Sequence, residues 1–256
     1  TLALHGFHDT RARFPALCQG NPSGYDSTWK SLFSEILPFV EHTAVDEKSS
    51  GSSCNTFTRH ANVLIFRCPT DPTAPDGVFD ANWTASSYAA SFQVFGNPDA
   101  GDNTGNMDGA MTLTGIADGT SNTVVFAEKY QKCGKAYLNP GDRTPYGSLW
   151  QHNNLYLGFM STFAVGNRTG TTGYSAQGGS GTTPYVGRVG PSAKFQSAPN
   201  PYFTACDVTL AQSGHPGVMQ VALADGSVRT ISTSVSGATW WQALTPRNEE
   251  VLGPDW

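Results

Sequence analysis

Three groups of residues in this 256-residue chain have the types and spacing to do chemistry. His5 and His8 stand at i and i+3 with Asp9 beside them, which lays two imidazoles on one helical face where they could share a metal ion. At a helix end with no second ligand cluster, the competing role is packing and hydrogen bonding. Asp99, Asp102, Asn103, Asn106 and Asp108 are the densest run of oxygen ligands, and hard cations such as calcium take about six to eight oxygens from loops of this kind. Asp102, Asn106 and Asp108 are the candidate Ca2+ ligands. The EF-hand spacing with its late Glu is not met, and an ordinary polar loop is the competing reading. His215 and Asp225 suggest a catalytic dyad, but the strand between them holds their ends about 20 Å apart. Asp225 belongs to a turn, where its side chain serves the backbone.

Asp118-Gly119-Thr120-Ser121-Asn122-Thr123 is dense in hydroxyls and amides that could cradle an ion or sugar, but such runs commonly satisfy their own turn. The chain has no G-x-S-x-G, no H-E-x-x-H and no phosphate loop. With no nucleophile and base at usable spacing, the expectation is a protein that is not an enzyme; a pocket gathering Ser or Cys with His and Asp would contradict it.

Cys18, Cys54, Cys68, Cys133 and Cys206 lack the close pairs of a structural zinc site. In an oxidising compartment they imply two disulfides and one leftover thiol. Cys133 follows a strand and Cys206 precedes another. If those strands share a sheet, the two cysteines staple the ends of the long stretch between them. Cys54 with Cys68 is the second pairing; Cys18 with either one is the competing pairing.

The elements that must position these groups are short. Leu4, Phe7 and His8 mark an N-terminal helix that breaks at Arg13-Phe14-Pro15. A second helix begins at Asp26 or Ser27, carries the stripe Trp29, Leu32, Phe33, Ile36 and Leu37, and ends at Pro38. Strands are predicted at 63–66, 87–95 and 124–127. Val218–Ala224 and Ser227–Ile231 form a hairpin around a two-residue Asp225-Gly226 turn. Ser236 caps a last helix through Trp240, Trp241 and Leu244, ended by Pro246. Residues 139–205 are rich in Gly, Thr, Pro and aromatics with little periodicity. They read as an insertion decorating one face, its Trp150, Tyr156, Phe159, Tyr174 and Tyr185 forming either a sugar-stacking platform or a small core of their own.

Composition narrows the classes further. The net charge of −5 offers no basic face for phosphates, so nucleic acid is not an expected partner. No apolar run approaches ~18 residues, so no segment here reads as a membrane span. The aromatic content of 11% gives ample material for a core.

The residues of the hairpin also carry a resemblance. His215, nine residues and then Asp225-Gly226 is similar to the H-x9-D-G motif of the prepilin-like and pseudopilin-like proteins known as the DUF1559 family. In the same order, Leu2–Asp9 with Arg13-Phe14-Pro15 resembles the family's segment after its membrane helix. Trp29…Leu37-Pro38-Phe39-Val40-Glu41 resembles its second helix. Phe66-Arg67-Cys68-Pro69-Thr70-Asp71-Pro72 resembles its C-P-S-D-P turn, and Asp118–Thr123 followed by Glu128 its D-G-T-S-N-T signature. Trp240 to Trp256 resembles its tail.

This resemblance implies an α+β, pilin-like fold with the N-terminal helix packed on an antiparallel sheet. It implies one domain over 1–256, with 139–205 inserted. It implies an inner-membrane anchor helix upstream, an extracytoplasmic or cell-surface location, and self-association into a filament or pseudopilus. The expected function is a structural subunit of such an assembly. The alternative is a membrane-anchored module that binds a solute, either carbohydrate or ion.

Overall fold

A computed structural model describes residues 1–19, 30–49, 56–100, 107–134, 145–152, 158–170, 173–176 and 186–256. Its central sheet has five strands: β1 (Tyr88–Ser91), β2 (Val124–Glu128), β3 (Thr162–Phe163), β4 (Val218–Leu223) and β5 (Val228–Ser232). They lie in the order β5-β4-β2-β1-β3. Neighbours from β5 through β1 are antiparallel, but β3 runs parallel to β1 through Ala90↔Thr162 and Ser91↔Phe163. The expectation of a purely antiparallel sheet is therefore corrected. The architecture is mixed α+β, with a five-stranded mixed sheet and several two-stranded ribbons. The parallel edge arises because β3 comes from the 139–205 stretch and reaches β1 by a crossover, not by a hairpin.

Each face of the sheet carries its own core. In β4, Met219, Val221 and Leu223 are buried while Val218, Gln220 and Ala222 are half-buried, the period of two that one covered face demands. Over that face, helix α2 (Gly237–Gln242) packs Trp240 and Trp241 with Val124, Ala127 and Ile231. Ser236 caps α2 by accepting the Thr239 N–H. On the other face, Leu4 of helix α1 (Leu2–Arg11) joins Phe14, Phe92, Phe95, Val125 and Trp150. α1 ends at Ala12 in the left-handed conformation.

Several local expectations give way to tertiary context. Leu64–Phe66 is a 3-10 turn in place of a strand, with Leu64 and Ile65 exposed and only Phe66 packed inward. The strand expected over 87–95 stops at Ser91, and Phe92–Phe95 turns into a short helix. The second helix is reduced to Leu32–Glu35, followed by a 3-10 turn over Leu37–Val40 with Pro38 in its first turn; Asp26, Ser27 and Trp29 lie outside the described residues. The hairpin loop has three residues, Ala224, Asp225 and Gly226, closed by Leu223 N–H to Ser227 O. Gly226 at φ 96° supplies the left-handed residue that this loop length requires.

The 139–205 stretch is less peripheral than expected. It contributes β3 to the sheet, and Trp150 sits in the main core against Phe66. Phe159 packs on Tyr146 and Tyr174 on Trp241, in separate places, so these aromatics make no common platform. Tyr156 and Tyr185 lie outside the described residues. A disulfide joins Cys133 to Cys206 and closes this excursion at its base.

Candidate functional site

The turn Cys68-Pro69-Thr70-Asp71-Pro72 is built around a carboxylate. Asp71 is buried and accepts four hydrogen bonds: from Thr73 N–H and hydroxyl on Oδ1, and from Ser87 hydroxyl and Gln131 N–H on Oδ2. The Asp71 N–H returns to the Cys68 carbonyl. With every lone pair of Asp71 engaged, the turn is fixed against the start of β1 and the end of β2.

At the end of β2 the backbone pairs Tyr88 with Glu128. Glu128 is buried, and its Oε2 is held by the Ser213 hydroxyl at 2.6 Å and the Gln220 N–H at 3.0 Å. Its Oε1 therefore faces the other way, 3.6 Å from Cys68 Sγ and 3.1 Å from His215 Nε2. Lys129, the next residue, donates from its Nζ to the carbonyls of Val208 and Leu210 and so ties down the segment leading to Ser213; burial lowers its pKa to about 7.

His215 arrives on a loop that touches the Cys68 turn. Gly214 lies so close to the Thr70 carbonyl oxygen that a Cβ there would collide with it. The His215 N–H donates to the Ser213 hydroxyl, and its carbonyl accepts from Ser197. Thr70 Oγ1 completes the group at 2.9 Å from Cys68 Sγ and 3.1 Å from His215 Nε2. The Tyr88 phenol borders the site; burial, with Cys68 and Glu128 close by, pushes it up to about 12, so it stays protonated. One ligand atom from each of Cys68, Glu128 and His215 lies within 4.8 Å of the other two. Cys68 and Glu128 are buried and His215 is half-exposed, so the group opens to solvent on the imidazole side.

In the sequence these three residues belong to separate turns and strands, and no local signal announces that they meet. The expected absence of a thiol near a base does not hold by distance alone. The connectivity, however, is not that of a thiol–imidazole–carboxylate relay, in which the imidazole stands in the middle and gives one nitrogen to each neighbour. Here a carboxylate oxygen stands between the thiol and the imidazole.

The remaining candidates are placed as follows. His215 and Asp225 sit at opposite ends of β4. Asp225 accepts the Ser227 N–H and hydroxyl, which hold its carboxyl below the usual range. Gly226 O accepts from the Thr1 hydroxyl, and His5 Nε2 is bonded to Ala224 O, so this end of the motif seats α1. His8 Nε2 accepts the Leu113 N–H and its ring packs on Phe14. The two imidazoles are thus engaged separately and share no metal geometry.

Asp118 accepts the backbone N–H groups of Glu249 and Asn248; burial nevertheless pushes its carboxyl up. Gly119 O accepts from the Asn122 N–H and the Thr123 hydroxyl, while the Asn122 side chain donates to Asp118 O, so the run satisfies its own turn. Asp102 and Asn106 lie outside the described residues; Asp108 is exposed, and Asp99 is paired with Arg168 and Arg247. Cys68 carries a free thiol, which corrects the Cys54–Cys68 pairing; Cys54 lies outside the described residues.

A family model described as "Protein of unknown function (DUF1559)", SBP_bac_10, matches residues 1–237. The chain belongs to the DUF1559 family. No curated protein and no solved structure matches it. Three of the motifs by which the chain resembles DUF1559 proteins each deliver one side chain to the cluster: Cys68 from the Cys-Pro turn, Glu128 after the Asp-Gly-Thr-Ser-Asn-Thr run, and His215 from the H-x9-D-G motif.

Proposed function

We propose that this DUF1559 chain is the extracytoplasmic, non-enzymatic domain of a structural subunit in a type IV pilus-like or pseudopilus-like assembly, tethered to the inner membrane by a helix preceding Thr1. The observation that carries this reading is the seat of α1. Its first turn is bonded to the hairpin tip through Thr1 and His5, and its Leu4 enters the main core, so a pull on the helix is borne by the central sheet. The Cys133–Cys206 disulfide supports an oxidising compartment. The carboxylate placed between Cys68 and His215 supports the absence of nucleophilic chemistry.

Immunogold electron microscopy of intact cells with an antibody to this domain tests the proposal. Label along filaments or at discrete envelope-spanning assemblies is the expected result; label spread evenly over the envelope as a monomer contradicts it.

A second reading, a solute-binding module, is favoured by one cavity. It measures about 190 Å³ and is lined by Gln93, Asp99, Tyr174, Arg168 and Arg247 among others. Gln93 is buried and gives its amide N–H groups to Ala164 O and Gly166 O, while its Oε1 has no hydrogen-bond partner among the described residues. Saturable binding in a glycan array, lost in Arg247→Ala, would favour this reading over the first.

A further inference from the structure

We infer that Cys68, Glu128 and His215 form a binding site for a borderline-soft divalent transition-metal ion of the zinc class. The donor set is one sulfur, one imidazole nitrogen and one carboxylate oxygen. Thiolate and imidazole select zinc-like ions over calcium or magnesium, which take oxygen ligands. This donor set is therefore distinct in chemistry from the oxygen-rich run around Asp102.

The spacing of the donors supports the inference independently of their identity. Zinc bonds of about 2.3 Å to sulfur and about 2.0 Å to nitrogen or oxygen, at tetrahedral angles, put sulfur and oxygen about 3.5 Å apart and nitrogen and oxygen about 3.3 Å apart. The corresponding separations are 3.6 Å between Cys68 Sγ and Glu128 Oε1, and 3.1 Å between His215 Nε2 and the same oxygen. Two of the three donor separations thus match those around a zinc ion, the third, Cys68 Sγ to His215 Nε2, is within 4.8 Å, and Thr70 Oγ1 lies beside the same sulfur and nitrogen.

The supporting contacts are those a metal ligand requires. Ser213 and Gln220 occupy Glu128 Oε2 and so direct Oε1 inward. Asp71 fixes the turn that carries Cys68. Two buried carboxylates, Asp71 and Glu128, make the neighbourhood favourable to a cation, and Lys129 is turned away to carbonyl oxygens. Three protein ligands leave a fourth position, on the half-exposed side of His215, for water or for a donor atom from a bound molecule. Binding converts the Cys68 thiol to a thiolate and releases its proton to solvent.

The test is a titration of the folded chain, disulfide intact and free of reductant, with Co2+ alone, read by absorbance, followed by displacement with Zn2+. One equivalent of Co2+ with a thiolate-to-cobalt charge-transfer band, erased by Zn2+, is expected. Cys68→Ser should lose the charge-transfer band, and His215→Gln should weaken binding by roughly tenfold or more while circular dichroism stays unchanged. His215 is half-exposed, so its variant decides the matter even if Cys68→Ser does not fold. Absence of a stoichiometric cobalt complex, or one whose spectrum and affinity are the same in His215→Gln, overturns the inference.

Discussion

Asp71 and Asp225 show how differently two aspartates of the family motifs act. Asp71 is buried with four donors converging on it, so Asp71→Ala leaves the Gln131 N–H, the Ser87 hydroxyl and the Thr73 donors without their acceptor. The expected cost is about 2 kcal/mol or more in urea unfolding. Asp225 is exposed and its carboxylate accepts the Ser227 hydroxyl and N–H, which lowers its pKa in the folded state. A carboxyl whose folded value lies below its unfolded value stabilises the fold above the unfolded pKa of about 3.9 and loses that contribution as pH falls through the folded value. Wild type should therefore exceed Asp225→Asn in stability at pH 6, with the gap closing in the acid range below about pH 4. A gap independent of pH would show that the carboxylate charge is not what the turn uses. Asp225's place in a turn was legible from Asp-Gly between two alternating runs. Asp71's burial was not, because its donors come from residues 73, 87 and 131, which no local pattern connects.

Strands and loops set the distances that single residues cannot. The H-x9-D-G motif reads as one unit in the sequence, yet β4 separates its ends: His215 joins Cys68 and Glu128, while Asp225-Gly226 seats α1. The loop carrying His215 depends on Gly214, whose bare Cα lets it lie against Thr70 O. Gly214→Ala should displace His215 from Cys68 and weaken cobalt binding by roughly tenfold, with the sheet intact by circular dichroism. Unchanged affinity would mean that the loop approach does not position the imidazole. At this scale the sequence was readable where a local signal was complete, as with the Ser236 cap and the β4–β5 hairpin. It misled where short, mostly apolar stretches stood alone. Leu64–Phe66 and Phe92–Phe95 are such stretches, and periodicity cannot separate a short strand from a helical turn. Their outcome follows from which side chains the core admits: Leu64 and Ile65 remain outside, and all of Phe92–Phe95 goes in.

Across the whole molecule, the 139–205 stretch, which the sequence led us to expect as a peripheral insertion, is a structural part of the sheet through β3. The disulfide ties its base over a separation of 73 residues. Replacing both Cys133 and Cys206 by Ala should cost about 4 kcal/mol in denaturant unfolding by the chain-entropy relation. A loss near zero would mean that β3 and Trp150 hold the stretch without the clip. The pairing was legible because the strand that precedes Cys133 and the strand that follows Cys206, β2 and β4, are neighbours in the central sheet; the parallel edge was not, since a two-residue strand leaves no periodic signature. The site is the most global feature of all, assembled from three motifs that are far apart in the chain and that only the folded sheet brings together.

That convergence is tested most directly by crystallography of the chain grown with zinc and measured on both sides of the zinc absorption edge. A single strong anomalous peak is expected within bonding distance of Cys68 Sγ, Glu128 Oε1 and His215 Nε2, about 2.0 to 2.3 Å from each. A map with no peak there, or one in which the three side chains point apart, would contradict it.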